Sequence, residues 1–468
     1  MTNKCLIVAG TILCVVIVAA IVTPIVIIFT RQGSTNTTTA TVYTTVVSAY
    51  WSFDNNANDM YGVYNGALTG SATYQSASSA VYGTGEMLYM YTGNSYFQMT
   101  TYFNLTYQSF TVDAWIYPTT ISGDWPIFGQ CTCSTCTNQC LYLVIRSGKL
   151  FMSFNYNDLS GSTTLNTSMW YHVAFVYNYA TMQQIIYLDG VQDAIKSNSQ
   201  PYKGYNGTIT VGYSPLITNT YFSQYIDNVA LTTRAKAASE ILIDATQIYY
   251  FSFDQPNPYY DNGPNHYNGT ANSLTGVSGR VNQAIRTATT SSYIQMYGWF
   301  ASNGYWATKP FTFAMWINPS SINYGILKAL YVYYNSFHLS LYSGGYSYQQ
   351  ELLGLTSNGQ IIAQIYSSTV WQNIVGPFIS LNTWTHIGYT FSTTIGITLY
   401  TNGVAFGSTG ATSNYQFSYS PMYITLGYSF GYTGNFITSS TAYQGSVDEF
   451  YMYRRELSAS QISSLANP

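Results

Sequence analysis

An internal repeat that runs from residue 47 almost to the C-terminus constrains the fold more than any other feature of the sequence. Residues 51–54 read Trp-Ser-Phe-Asp, and residues 251–254 read Phe-Ser-Phe-Asp. Seven matched blocks follow one another in the same order in both halves, and the second copy is lengthened mainly between residues 320 and 380. A unit of about 200 residues is large enough to form its own core. The repeat therefore predicts two tandem domains, at residues 47–244 and 249–466.

The matched blocks alternate apolar and polar residues with a period of two. Residues 110–116 of the first copy and residues 311–317 of the second both carry apolar side chains at every second position. This pattern is typical of β-strands, and turns rich in Gly, Asn and Ser separate the strands. The sequence predicts an all-β fold, with its best helix candidate near the C-terminus, where Ser458 and Gln461 have the spacing of a capping box.

Charged residues make up only 7% of the chain, against about 25% in an ordinary soluble domain. The net charge is −3, whereas a nucleic-acid-binding surface needs a basic excess, so the composition excludes nucleic acid as a partner. Tyrosine occurs 49 times, and its apolar ring with a hydroxyl edge suits sugar rings and hydrated protein surfaces. Dense tyrosine clusters lie at residues 333–334 and 342–348. We therefore expect glycans or extracellular proteins as partners.

The N-terminal segment predicts a membrane anchor. Residues 5–29 contain no charged residue and would form a helix of about 37 Å, longer than the roughly 30 Å of a bilayer's hydrocarbon core. Residues 1–32 thus predict a short cytoplasmic end and a transmembrane helix, and the Thr-rich residues 33–46 predict a stalk. We expect a single-pass plasma-membrane protein with its C-terminal domains outside the cell. The alternative is cleavage at a signal-peptide site ending at Ala20, which would give a secreted protein.

Cysteines and sequons fit an extracellular location. Four of the six cysteines lie within ten residues, which predicts either two disulfides or a four-thiolate zinc site. Zinc sites usually separate two cysteine pairs by a longer spacer, so this spacing favours disulfides among Cys131, Cys133, Cys136 and Cys140. Five Asn-x-Ser/Thr sequons predict N-glycosylation at Asn36, Asn104, Asn166, Asn206 and Asn268.

The order of the matched blocks resembles the laminin-G-like family of concanavalin A-like jelly rolls. The blocks are Trp/Phe-x-Phe-Asp, Phe-Thr-x-x-x-Trp-Ile-x-Pro, Trp-x-His, Asp/Asn-Gly-Val, Gly-Tyr-Ser and a final Ile/Val-Asp block followed by an arginine. The likeness covers both copies almost end to end. It implies two curved antiparallel sheets in each copy, and so two tandem β-sandwiches preceded by one N-terminal transmembrane helix. It also favours non-catalytic adhesion to glycans or to matrix and cell-surface proteins.

Aspartates that recur in both copies are candidate calcium ligands. Calcium prefers oxygen ligands, and the resemblance implies one structural Ca²⁺ ion per domain, held near the first and last strands. The alternative is that the same carboxylates cap turns by accepting backbone hydrogen bonds. The residues are Asp54, Asp59 and Asp227 in the first copy and Asp254, Asp261 and Asp448 in the second.

No pattern of catalytic residues stands out, although the fold family includes glycoside hydrolases. Those enzymes need two carboxylates that share one face of the sheet and flank the bond to be cleaved, whereas the chain has no Glu-x-Asp or Glu-x-Glu spacing. His172 and His386 each lie in a Trp-x-His block, and we expect them to pack against Trp170 and Trp384. The sequence thus predicts a protein without catalytic residues. A divergent glycan-cleaving enzyme and a secreted structural coat protein are the alternatives.

Overall fold

The computed structural model describes the greater part of the chain after the N-terminal segment. The described residues are 46–76, 81, 85–91, 93–217, 220–289, 291–299, 308–322, 324–331, 348–367, 370–415, 422–428 and 443–468. The predicted transmembrane helix, the stalk up to residue 45, Asn36 and the tyrosines at 333–334 and 342–347 lie outside them. None of the helices in the described part is long and apolar enough to cross a membrane.

The first copy forms two antiparallel sheets and one helix. Its strands are β1 (Ser48–Trp51), β2 (Gly66–Thr69), β3 (Thr73–Ser76), β4 (Glu86–Met90), β5 (Tyr96–Met99), β6 (Phe110–Pro118), β7 (Asp124–Cys131), β8 (Cys140–Arg146), β9 (Lys149–Ser153), β10 (Asp158–Ser160), β11 (Tyr171–Asn178), β12 (Gln183–Leu188), β13 (Val191–Lys196), β14 (Ile209–Val211) and β15 (Gln224–Thr232), and its helix is α1 (Ala238–Thr246). One sheet has the order β13-β12-β11-β6-β15-β4-β3, with β1 also pairing with β15, and the other has the order β10-β9-β8-β7-β14-β5-β2.

The second copy repeats this arrangement. Its elements are β16 (Gln247–Phe251), β17 (Thr270–Asn272), β18 (Leu274–Ser278), β19 (Gln283–Thr287), β20 (Tyr293–Trp299), β21 (Phe311–Pro319), β22 (Gly325–Tyr331), β23 (Tyr348–Leu355), β24 (Gln360–Ser367), β25 (Val370–Phe378), β26 (Thr385–Ser392), β27 (Gly396–Thr401), β28 (Val404–Ser408), β29 (Met422–Leu426), β30 (Gly445–Tyr453) and α2 (Ala459–Leu465). The sheet orders are β28-β27-β26-β21-β30-β19-β18, with β16 beside β30, and β25-β24-β23-β22-β29-β20-β17. Each strand of one copy therefore has a counterpart at the same place in the other.

Each pair of sheets encloses its own apolar core. Inward residues of both sheets meet there, and burying each large side chain contributes about 1.5–3 kcal/mol. In the first copy the fully buried residues include Trp51, Phe97, Phe110, Leu143 and Phe175. In the second copy they include Phe251, Phe313, Leu353, Tyr389 and Phe450. The predicted all-β architecture of two sandwiches is confirmed for the part of the chain that the structure describes.

The two short helices cover the outer face of the larger sheet in each copy. Ile241 of α1 packs on Val176 and Tyr187, and Ile462 of α2 packs on Tyr400. Helix α2 begins with the predicted capping box, because the hydroxyl of Ser458 accepts a hydrogen bond from the backbone N–H of the third helical residue. The outer face of the sheet is consequently buried as well, which simple alternation of apolar and polar residues does not predict.

Candidate functional site

The paired histidines lie on this covered outer face and contact tryptophans. Trp115 on β6 is directly opposite His172 on β11, and their ring centroids are 5.2 Å apart in an edge-to-face arrangement. Trp316 and His386 repeat this pair at 5.4 Å. The expected partner was the tryptophan two residues before each histidine; the partner is the cross-strand tryptophan instead, because directly opposite residues of antiparallel strands lie closer. Trp170 packs on the aromatic ring of Tyr117.

The first residue of the Asp/Asn-Gly block accepts a hydrogen bond from the backbone of the paired histidine in each copy. Asp189 Oδ1 accepts the backbone N–H of His172 at 3.0 Å, and Asn402 Oδ1 accepts that of His386 at 3.0 Å. Asp189 and Asn402 have positive φ angles of 50° and 49° and begin the tight β12–β13 and β27–β28 turns, where Asp-Gly and Asn-Gly are favoured. Both motifs therefore fix strand pairing.

Two of the six predicted calcium ligands are occupied by backbone donors. Asp59 accepts hydrogen bonds from the N–H groups of Tyr50, Val63 and Tyr64 at 2.9, 3.2 and 3.1 Å. Asp261 accepts three at 2.8, 2.9 and 3.0 Å, although burial raises its pKa to about 7. These two carboxylates cap turns in the manner of the alternative reading.

The aspartates of the first strands also hold a backbone group. Asp54 Oδ1 accepts the N–H of Glu86 at 2.7 Å, and Asp254 Oδ1 accepts the N–H of Gln283 at 2.9 Å. Gly85, which precedes Glu86, has a φ of +75°, and a Cβ there would lie 2.3 Å from Asp54 Oδ1. Only glycine allows this close approach without strain.

The aspartates of the last strands differ between the copies. Asp448 Oδ2 accepts the N–H groups of Arg280 and Val281 at 2.7 and 2.9 Å. Asp227 Oδ2 is buried without a hydrogen-bond partner, and burial together with the charge of Asp54 raises its pKa well above the usual range. A calcium ion therefore fits the Asp54–Asp227 pair better than its counterpart in the second copy. No group of three or more His, Cys, Asp or Glu in the described residues is arranged as a metal site.

The cysteine cluster closes one turn of the first copy. Cys131 at the end of β7 pairs with Cys140 at the start of β8, and Cys133 pairs with Cys136 inside the same loop. Among the predicted glycosylation sites in the described residues, all four asparagines are exposed: Asn104, Asn166, Asn206 and Asn268.

The two sandwiches contact each other through that outer face of the first copy. The Arg454 guanidinium lies 4.4 Å from the ring centroid of Trp115 and 3.2 Å from Asp189 Oδ1. His266 meets the Tyr50 ring edge-on at 5.1 Å. These contacts leave two spaces between the sandwiches, here named the charged cavity and the tyrosine cleft.

The charged cavity, of about 280 Å³, contains Asp113, His172, Lys236 and Asp244. Lys236 Nζ lies 2.7 Å from Asp113 and 2.9 Å from Asp244, and His172 Nε2 lies 3.8 Å from Asp113. Burial alone would raise the pKa of Asp113, but Lys236 and His172 hold it below its usual value. Burial and the charge of Asp113 raise the pKa of Asp244. The four groups form one coupled network.

The tyrosine cleft, of about 530 Å³, is bordered by both copies. The second copy contributes Tyr297 and Tyr423, which lie directly opposite each other on β20 and β29 with ring centroids 4.6 Å apart. The remaining lining residues include amide and carboxyl side chains of Asp54, Glu86, Asn268 and Gln295. Hydrophobic faces with a few converging polar groups are the usual composition of a ligand site.

Patterns along the sequence do not indicate this cleft. Asp54 and Glu86 are 32 residues apart and meet because β1 and β4 both pair with β15. The one available signal was the repeat itself, since Asp54 and Asp254 are matched while Glu86 is replaced by Gln283 in the second copy.

Comparisons with solved structures find weak overall similarity. Domain 4 of an extracellular arabinanase from Geobacillus stearothermophilus, solved with arabinotriose, is 16% identical over 47% of this chain and 98% of that domain, with a TM-score of 0.31. The binding domain of Paraclostridial Mosquitocidal Protein 1 is 19% identical over 48% of this chain, with a TM-score of 0.34, and this chain spans about half (52%) of its length. Mouse laminin alpha1 domains LG4-5 are 13% identical over 76% of this chain and 88% of that one, with a TM-score of 0.26.

The family assignment rests on sequence. No curated protein matches the chain. A laminin-G family model, described as the concanavalin A-like lectin/glucanases superfamily, matches residues 91–242 and 289–463, which together exceed half of the chain. The chain therefore belongs to the concanavalin A-like lectin/glucanases superfamily, as two tandem laminin-G-like copies.

Proposed function

We propose that this chain is a non-catalytic binding protein of the cell surface that recognises glycans through the tyrosine cleft. The observation that carries the proposal is the pairing of Tyr297 and Tyr423 beside the amides of Asn268 and Gln295 in one space of about 530 Å³. Tyrosine rings stack on the apolar faces of sugars, while amides and carboxylates hydrogen-bond to sugar hydroxyls. Matrix and cell-surface proteins are the second class of partner.

An extracellular position belongs to the same proposal. The two disulfides at Cys131–Cys140 and Cys133–Cys136 persist in oxidising compartments, and the described sequons are exposed. Residues 5–29 would anchor the chain in the plasma membrane, with both sandwiches outside. Secretion after cleavage at Ala20, as a structural coat protein, remains the alternative.

Arrays of glycans and matrix proteins test the proposal with the full chain and with Tyr423→Ala. We expect Tyr423→Ala to weaken glycan binding about tenfold, the effect of losing roughly 1.4 kcal/mol of contact. Tyr156→Ala, at a 72% exposed side chain of the first copy, is the matched control and should bind as the wild type does. Glycan binding that is unchanged in Tyr423→Ala would argue against the cleft, and binding only to proteins would favour the second class of partner.

A specific observation favours the glycan-cleaving alternative. Asp54 and Glu86 come from different parts of the first copy and both line the tyrosine cleft, and paired carboxylates are what glycoside hydrolysis needs. Release of reducing sugar from a polysaccharide panel, abolished in Glu86→Gln, would replace the binding proposal by this one. We expect no such release.

Calcium belongs to the proposal only in the first copy. Asp54 and Asp227 would hold the ion there, supplying carboxylate oxygens, of which Asp227 Oδ2 has no hydrogen-bond donor. The ion would neutralise two neighbouring buried charges and so stabilise the junction of the first and last strands.

A further inference from the structure

The described lining of the tyrosine cleft contains acidic side chains but no basic side chain that would balance them. Asp54 and Glu86 line the cleft, and neither Lys nor Arg is among its described lining residues. The ion pairs among described residues lie elsewhere, as between Lys236 and Asp113. His266 also lines the cleft, and burial lowers its pKa, so it adds no positive charge at neutral pH.

One carboxylate oxygen of the cleft lining has no hydrogen-bond donor. Glu86 lines the cleft, and its Oε2 is covered and without a partner. A buried acceptor left without a donor destabilises the protein. A ligand that brings N–H donors and a positive charge would remove this destabilisation.

The second copy shows that the fold does not require this charge. Glu86 and Gln283 occupy equivalent positions, and each donates its backbone N–H to the preceding aspartate, Asp54 or Asp254. The backbone contact is the same with either side chain. This contact in the fold therefore does not require the carboxylate of Glu86.

We propose that the tyrosine cleft selects sugars that bear a positively charged amine over neutral and anionic sugars. This inference rests on the proposed function, since it specifies the glycan that the cleft receives. In the calcium-free chain the ammonium group donates to Glu86 and Asp54 while the sugar ring lies against Tyr423. An ammonium has three donors and no acceptor, which matches an unpartnered carboxylate oxygen. Sulfated and carboxylated sugars are repelled by the same groups.

The test compares glucosamine oligomers with N-acetylglucosamine oligomers and glucose oligomers of the same length and linkage. Binding to the full chain is measured by calorimetry in EDTA, at low and moderate salt. A charge-assisted hydrogen bond contributes about 1.5–3 kcal/mol, so we expect the amine form to bind about 10- to 100-fold more tightly than the acetylated form. This preference should decrease with salt.

Three variants test whether the preference for the amine form depends on Glu86. Glu86→Gln copies the residue of the second copy, so the fold tolerates it, and it should reduce the preference for the amine form at least tenfold. Asp254→Asn makes a similar change outside the cleft and should leave the preference intact. Tyr423→Ala should weaken all three oligomers to the same degree, because stacking does not depend on the amine.

The outcomes separate this inference from the proposed function. If no oligomer or other glycan binds, the proposed function fails. If glycans bind but the amine form has no advantage, or Glu86→Gln keeps that advantage, the inference fails and the function stands. Tighter binding of sulfated oligomers would also overturn it. So would a preference that appears only when calcium replaces EDTA, or binding of lysine-rich peptides in place of glucosamine oligomers.

Discussion

The two copies have the same strand positions but differ in the residues where the helix packs on the larger sheet. In the first copy, Asp113, Lys236 and Asp244 form a buried ionic network. In the second copy the corresponding residues are Ala314, Leu457 and Leu465. The equivalence is geometric, since the N–H of Lys236 and the N–H of Leu457 each bond to the matching threonine hydroxyl at 3.0 Å.

This difference shows that the fold does not require charged residues at these positions. A buried ion network is no more stabilising than well-packed apolar residues of similar volume, and the second copy has that apolar solution. The charged residues of the first copy face the other sandwich, where Arg454 covers Trp115. In the second copy Arg280, from the same sandwich, covers Trp316 at 4.7 Å. The charges therefore mark the surface that the first copy shares with its neighbour.

The largest expected effect comes from removing the central cation of the network. Lys236→Ala removes the cation that Asp113 and Asp244 share and leaves only His172 beside Asp113. It should lower the free energy of unfolding by about 3–5 kcal/mol at pH 7, measured by urea denaturation. Because the folded-state pKa of Asp113 is lowered, its stabilisation is present above about pH 4 and is lost as the pH falls through that folded-state value. The difference between wild type and variant should therefore shrink in acid.

The control for this prediction copies the second sandwich. The triple variant Asp113→Ala, Lys236→Leu and Asp244→Leu should have a urea midpoint at least as high as that of the wild type. It removes the buried charges together with the free-energy cost of desolvating them. A triple variant as unstable as Lys236→Ala would contradict the equivalence of the two copies.

Reduction of the disulfides should affect one copy only. Opening Cys131–Cys140 and Cys133–Cys136 releases the link between β7 and β8, whereas β22 and β23 of the second copy pair without a disulfide. A disulfide that closes a loop of this size contributes about 2–3 kcal/mol. Hydrogen exchange should accelerate in β7 and β8 on reduction and stay unchanged in β22 and β23. Equal acceleration in both pairs of strands would show that the sandwiches unfold as one unit.

The paired aspartates of the last strands should respond in opposite ways to calcium. Asp448→Asn takes an acceptor from two backbone N–H groups and should cost about 1–3 kcal/mol with or without calcium. Asp227→Asn should cost little in EDTA but abolish the stabilisation by calcium, which reaches about 2.7 kcal/mol at 100 times the dissociation constant. Thermal unfolding in calcium and in EDTA checks both. Calcium stabilisation that survives Asp227→Asn would place the ion elsewhere.

The smallest effect concerns glycosylation. Asn268 lines the tyrosine cleft, and its Oδ1 accepts the N–H of Asp261 at 3.2 Å. Asn65, its counterpart, makes the same bond to Asp59 at 3.0 Å without a sequon. We expect mass spectrometry to find glycans at Asn104, Asn166 and Asn206 but not at Asn268. A glycan at Asn268 would cover the proposed binding space.

The repeat made the fold predictable, because each matched block has a local cause. The Asp/Asn-Gly turns, the capping box at Ser458 and the alternation in β6 and β21 all determine strands or their ends. Local pattern was less informative about long-range pairing. The histidines contact tryptophans on the neighbouring strand. Asp54 contacts Glu86 although the two are 32 residues apart in the chain. The spacing of residues along one strand does not predict contacts between residues on different strands.

The junction of the copies has a mechanical consequence. Helix α1 ends at Thr246 and β16 begins at Gln247, and the side chain of Arg455 reaches back to the Thr246 hydroxyl at 3.1 Å. With no spare residue between them, the sandwiches have no hinge about which to swing apart. A ligand that enters between the sandwiches therefore meets a preorganised cleft. Little conformational entropy is lost on association, so selectivity depends on the shape of the ligand as much as on its chemistry.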